Sequence, residues 1–147
     1  AGDYSDKKPF KSIKIGKGKV LKKGKKIVFL NLGNRLNQVL EASKLVKNRF
    51  KIESTIVDMR FAKPVDKQLI KSLLKYHNIF ITVEENAIGG FSSQVNDYLL
   101  NSIDKSPKIL NFFMKDNFID QSDINDQYYQ SGISPELIFK RLSKLLN

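Results

Sequence analysis

Apolar residues along this chain follow two alternating rhythms. Ile27–Leu32 and Ile79–Val83 are short, nearly continuous apolar runs, the pattern of strands covered on both faces of a parallel sheet. Ile52–Asp58 and Lys108–Phe113 read as two further strands. Between them the spacing changes to three and four. Leu36, Val39, Leu40 and Val46 mark a helix reaching about Asn48, with Asn34 as its expected cap. Leu69, Ile70, Leu73 and Leu74 mark a second, which His77 is expected to close. Asp66 can cap it, and Pro64 keeps Lys63 out of the helical region. A third helix, about 91–101, follows the Gly89–Gly90 pair. Ser134 and Pro135 are an N-cap followed by a first-turn proline, and Ile138, Leu142 and Leu145 carry the last helix.

Two stretches fit neither rhythm. Ile13–Val20 begins to alternate and is then interrupted by Gly16 and Gly18, which predicts a short edge strand or an extended arm. Met114–Ser131 is polar and reads as a long irregular loop bearing Phe118, Tyr128 and Tyr129. Strands alternating with helices predict an α/β fold. The expected architecture is a three-layer α/β/α sandwich, a mostly parallel sheet of about five strands with helices on both faces. Residues 1–12 are expected to be a linker end or a cloning remnant, and residues 13–147 a single domain of ordinary size for 147 residues.

Composition removes several classes of chemistry. There is no Cys, which excludes disulfides, thiolate metal sites and cysteine nucleophiles within the chain. The single His77 excludes a multi-histidine metal site. No apolar run approaches the roughly 20 residues of a membrane-spanning helix. The net charge of +11 raises a nucleic-acid reading. Its distribution weakens it: residues 1–26 hold ten Lys and two Asp, and the whole chain has 22 Lys against 4 Arg. Base readout and bidentate phosphate clamps favour Arg. With 12 Asn and 15 Ile, the lysines fit a solvated surface enriched by compositional drift. Neither a nucleic-acid nor a membrane partner is expected.

A parallel sheet gathers the carboxyl ends of its strands on one edge, where ligands usually bind. That edge should collect Asn34 and Arg35, then Asp58, Arg60 and Phe61, then Glu84, Glu85 and Asn86, then Asp116, Asn117 and Phe118. One reading makes Glu84 or Glu85 a general base and Arg60 an anion clamp. The plainer reading has Arg60 neutralise Asp58 or Glu84 while Gly89–Gly90 closes the turn. A phosphate loop is disfavoured, because two carboxylates precede the glycines and no GxGxxG is present. A Glu acting in the field of the helix's first turn, or on a cation, fits better. Ser92–Ser93 has no partner histidine in a hydrolytic motif.

Three segments carry a family resemblance: IKIGKGKVLKKG from Ile13 to Gly24, VDMRFAKPVDKQLI from Val57 to Ile70, and ITVEENAIGGFSSQVNDYL from Ile81 to Leu99. They resemble the C-terminal domain of 1-deoxy-D-xylulose-5-phosphate synthases, within the transketolase C-terminal domain family. The RF-x-K-P-x-D and EEN-x-I-GG-x-x-S-x-V spacings carry it, and it covers nearly the whole chain from Ile13. The motif residues that correspond are Arg60, Phe61, Pro64 and Asp66, then Glu84, Glu85, Asn86, Gly89 and Gly90, with a structural or interface role implied for them.

The resemblance implies a thiamine-diphosphate enzyme with Mg²⁺, joining pyruvate to glyceraldehyde 3-phosphate with loss of CO2 and feeding isoprenoid, thiamine and pyridoxal synthesis. It implies that the cofactor and catalytic groups belong to upstream thiamine-binding domains, so that no catalytic, cofactor-binding or metal residue is expected in this chain. The domain itself would contribute to a homodimer. NAIGGF is one residue shorter than the form of many bacterial synthases and resembles plastid-type versions, so a plastid-type organelle or a bacterial cytoplasm is implied. Gln121 and Ser122, after Lys115–Gln121, stand where a His-Gly pair is usual in the family. Two alternatives stay open: the C-terminal domain of another transketolase-like enzyme, such as a 2-oxoacid dehydrogenase beta subunit, and a free-standing basic binding module.

Overall fold

The computed structural model describes residues 12–104, 106–114 and 123–147. The expectations placed on Asp116, Asn117 and Phe118, and on Lys115–Gln121 with Ser122, lie outside the described residues. The elements run β1 (Lys19–Lys22), β2 (Lys26–Asn31), α1 (Leu36–Phe50), β3 (Thr55–Asp58), α2 (Lys67–Leu73), β4 (His77–Val83), α3 (Phe91–Ser102), β5 (Lys108–Phe112), α4 (Ile124–Ser131) and α5 (Pro135–Leu146).

Five strands form one sheet in the order β1-β3-β2-β4-β5. The inner pairings are parallel, with Leu30 level with Val57 on one side and Thr82 on the other. Only β1 runs antiparallel, at the β3 edge, with a register shift between Val20 and Lys22. The alternation of side chains along β2 and β4 splits the core into two. Ile27, Phe29, Ile79 and Ile81 face α1 and α5, where the Phe50 and Phe139 rings meet at 6.3 Å. Val28, Leu30 and Phe80 face α2 and α3. A strand buried on both faces exposes almost no side chain, which is why these runs are nearly all apolar, with Asn31 and Thr82 as buried, hydrogen-bonded exceptions. Each large side chain so buried is worth about 1.5–3 kcal/mol.

Four details differ from the sequence expectations. β1 starts at Lys19 rather than Ile13, and Ile13 and Ile15 are exposed. The chain there is held by Asp66, which accepts from the Gly18 amide at 3.2 Å. Asn34 does not cap α1; Arg35 occupies that position and makes no side-chain cap. The segment Ile124–Ser131 is helical rather than irregular. Lastly, α2 ends at Leu73, and His77 opens β4 instead of closing the helix. The Tyr76 amide bonds back to the Leu73 carbonyl at 3.1 Å, turning the chain. The His77 ring is then buried between the Leu73 carbonyl and Thr55 Oγ1, each 2.7 Å away.

Candidate functional site at the carboxyl edge of the sheet

β2 is the strand from which the chain departs in both directions: α1 leads to β3 on one side, and β4 returns on the other. Because α1 and α3 cover opposite faces, the carboxyl ends of β2 and β4 flank the sheet's switch point, the usual ligand crevice of such folds. Glu84 and Glu85 leave β4 at that crevice.

The two acids have different partners. Glu84 is fully buried. Its Oε2 accepts from the Phe91 amide at 2.7 Å and from Asn86 Nδ2 at 3.3 Å, and its Oε1 accepts from the Ser92 amide at 2.7 Å. These amides open α3, whose own N-cap residue, Gly90, has no side chain to offer. Glu84 therefore supplies from the preceding strand the anionic cap that a helix start favours. Gly90 makes room for it: a Cβ there would stand 2.3 Å from Glu84 Oε2. Gly89 serves the same turn by its backbone, at φ +100°, where L side chains are strained. The Asn86 carbonyl accepts from the Met114 amide at 3.1 Å, which fastens the turn to the end of β5.

Glu85 reaches across the switch point. Its Oε1 pairs with Arg35 through Nε at 2.7 Å and through Nη2. Arg35 is buried and Glu85 is half-buried. The pair joins the β2–α1 junction to the β4–α3 junction with an ion pair of the chain's own.

The second motif lies at the β3–α2 junction. Arg60, at φ +60°, donates its amide to Asp58 Oδ1 at 3.1 Å, and its Nε stands 3.7 Å from Asp58 Oδ2. Of the two acids proposed for it, Arg60 thus faces Asp58, not Glu84. The Phe61 amide bonds to the Met59 carbonyl at 2.6 Å. Pro64 follows a cis peptide bond and packs on Gly16, where a Cβ would meet its Cγ at 2.8 Å. Asp66 caps α2 by accepting from the Leu69 amide at 3.1 Å, and it also holds Gly18 and Lys17 of the N-terminal arm. Among the described residues no hydrogen bond or ion pair joins the two motif groups. An open cavity of about 740 Å³ lies beside the second, lined by Lys17, Lys63, Pro64, Asp66 and Gln94 among others.

This geometry leaves Glu84 no free oxygen for a general-base role, because both its oxygens accept from amides in a fully buried position. It equally rules out a phosphate cradle at α3, since the Glu84 carboxylate fills the helix terminus where an anion would sit. A diphosphate does not fit these residues. No group of three or more metal-ligating side chains occurs among the described residues, and no described helix is long and apolar enough to cross a membrane. The sequence alone identified the Asp66 cap. It did not identify Arg35 as the partner of Glu85, because residues fifty apart are brought together only by the adjacency of β2 and β4.

A mostly parallel sheet with one antiparallel edge strand, and acids that cap and bridge its carboxyl edge, defines a three-layer α/β domain. The model of the transketolase C-terminal domain family matches residues 16–138, and the chain belongs to that family. It is 40% identical over 135 residues to a 1-deoxy-D-xylulose-5-phosphate synthase of Glaesserella parasuis, covering 91% of this chain and 21% of that protein. It is 35% identical over 140 residues to the synthase of the same name in Vibrio parahaemolyticus, covering 95% of this chain and 21% of that protein. The chain thus spans about a fifth of the length of these relatives. Among solved structures, a split-gene transketolase described as an inactive beta4 tetramer superposes with a TM-score of 0.81 at 27% identity, over 91% of this chain and 43% of that one. A transketolase mutant from Pichia stipitis superposes at 0.60 with 16% identity, over 86% of this chain and 17% of that one, a likeness of fold alone.

Proposed function

We propose that this chain is the C-terminal domain of a thiamine-diphosphate-dependent 1-deoxy-D-xylulose-5-phosphate synthase. The longer enzyme condenses pyruvate with glyceraldehyde 3-phosphate, releases CO2, and supplies isoprenoid precursors from a bacterial cytoplasm or a plastid-type organelle. Thiamine diphosphate with Mg²⁺, bound by upstream domains, supplies the carbanion chemistry. This domain contributes to the homodimer and holds no catalytic residue. Its motif residues, Arg60 to Asp66 and Glu84 to Gly90, serve structure and interface.

The observation that carries the reading is the 40% identity over 135 residues to a protein of that name. The site geometry supports the structural role, because the acids of the carboxyl edge are engaged by the chain's own amides and by Arg35. Calorimetry with thiamine diphosphate and Mg²⁺ on this 147-residue chain is expected to show no micromolar binding; micromolar binding overturns the assignment. The full-length protein is expected to form 1-deoxy-D-xylulose 5-phosphate from pyruvate and glyceraldehyde 3-phosphate. Ketol transfer between sugar phosphates without pyruvate decarboxylation contradicts the synthase reading.

A further inference from the structure

The opposite, amino edge of the sheet carries a feature that the fold does not require. Two cavities adjoin there and share Lys75, Tyr76 and His77 in their walls. One, of about 370 Å³, is lined by Lys23, Gly24, Thr55, Lys75, Tyr76 and His77 among others. The other, of about 400 Å³, is lined by Lys25, Lys26, Lys75, Tyr76 and His77 among others. Both lie in the size range of small-molecule sites. Tyr76 is 67% exposed.

Four lysines line these cavities between them, and none of Lys23, Lys25, Lys26 and Lys75 has an acidic partner among the described residues. The nearby acid, Glu53, is already shared by Lys22 and Lys47. Helix polarity accounts for Lys75, just beyond the end of α2. It does not account for Lys23 and Lys25 on the β1–β2 turn or for Lys26, which opens β2. That turn is held in place rather than loose. The Lys25 amide donates to the Glu53 carbonyl at 2.9 Å and the Lys26 amide to the Tyr76 carbonyl at 2.8 Å. The Ile27 amide donates to the Lys25 carbonyl at 2.8 Å, closing a three-residue turn on Lys26 at φ +69°. Such a turn is rare and strained for a residue with a side chain, and strain of this kind gathers at ligand sites. A glycine would adopt it freely; a lysine adopts it here and is among the residues that line the second cavity.

We infer that the Tyr76 cavities bind a phosphorylated small molecule carrying a flat ring, of the nucleoside diphosphate class. The ring stacks on Tyr76, and the phosphates lie among Lys23, Lys25, Lys26 and Lys75, which act as point charges toward phosphate oxygens. The modest size of the two adjoining cavities favours a small ligand over a continuous polyanion. No chemistry is performed on the ligand; the site is one of binding.

The test is titration of the 147-residue chain with ADP, by calorimetry and by amide shifts in NMR. Inorganic diphosphate and a single-stranded oligonucleotide serve as comparison ligands. Saturable ADP binding is expected, with shifts at residues 23–27 and 75–78. Tyr76→Ala should weaken it at least fivefold, and Lys25→Glu or Lys75→Glu at least tenfold, whereas Lys140→Glu on α5 should not. Lys26→Gly should weaken binding while leaving the melting temperature unchanged or higher, an outcome a merely structural lysine would not give. The inference is overturned by no saturable binding up to millimolar ADP. It is equally overturned by ADP binding no tighter than diphosphate and indifferent to Tyr76→Ala, or by saturable binding of the oligonucleotide alone.

Discussion

The two edges of this sheet treat charge in opposite ways. At the carboxyl edge the charges are answered within the chain: Glu84 by two amides, Glu85 by Arg35, Asp58 by Arg60, and Asp66 by amides and Lys17. At the amino edge Lys23, Lys25, Lys26 and Lys75 have no acidic partner among the described residues. In parallel α/β sheets the carboxyl edge is where ligands usually bind. Here the start of α3 is filled from within, because a helix N-terminus that attracts anions attracts a nearby glutamate as readily as a phosphate. Open space remains beside the β3–α2 junction and, at the amino edge, around Tyr76. The lesson is that a favourable position in a fold is an opportunity which the local side chains either leave open or close.

The sharpest way to break the contrast is at the glycines that shape each edge. A Cβ on Gly24 would stand 2.1 Å from the Glu53 carbonyl oxygen, a backbone atom that cannot step aside. Gly24→Ala is expected to cost about 3 kcal/mol or more and to displace the basic turn. Denaturant melts of the variant check it. Gly90→Val should cost a similar amount by expelling Glu84 from the start of α3. Next comes the ion pair at the switch point. Arg35→Met removes the partner of Glu85, a side chain 34% exposed and able to rehydrate in part, so a loss of about 1–2 kcal/mol is expected. Denaturant midpoints read it. A loss above about 4 kcal/mol would mean that Arg35 does far more than answer Glu85.

The smallest effect is electrostatic. Hydrogen bonds from Lys22 and then Lys47 hold the Glu53 carboxyl below its usual value of 4.5. A depressed folded value stabilises the protein above the ordinary glutamate range, and that contribution disappears as pH falls through the folded value. Glu53→Gln should therefore lower the melting temperature slightly at neutral pH and not at all at strongly acid pH. Equal shifts at both would contradict the pairing.

Much of the fold was legible because parallel strands must be apolar on both faces. Ile27–Leu32 and Ile79–Val83 can be little else, and Ser134–Pro135 and Asp66 announce their helices through local chemistry. What stayed hidden depends on distant partners. His77 continues the helical spacing of Leu69–Leu74, yet Thr55, twenty-two residues away, gives its ring a buried hydrogen-bond partner and a place in β4. β1 begins late because Asp66, forty-eight residues on, pins Gly18. The polar α4 has no apolar stripe by which to be recognised. At the site, a Glu acting in the first-turn field of α3 was foreseeable from the turn EENAIGG. That Glu84 takes this part while Glu85 turns to Arg35 follows from the side-chain alternation at the end of β4, seen only once the strand's limits are fixed.

Glu84→Gln tests the account most directly. It keeps the shape of the side chain but replaces one amide-accepting oxygen with a donor and removes the charge at the start of α3. The expected cost is about 2–4 kcal/mol, which for a domain of this size lowers the melting temperature by about 5–12 °C. The loss should appear in this chain alone. An unchanged melting temperature in this chain, together with lost turnover when the same substitution is made in the full-length enzyme, would show that Glu84 acts in chemistry rather than in holding the strand-to-helix turn.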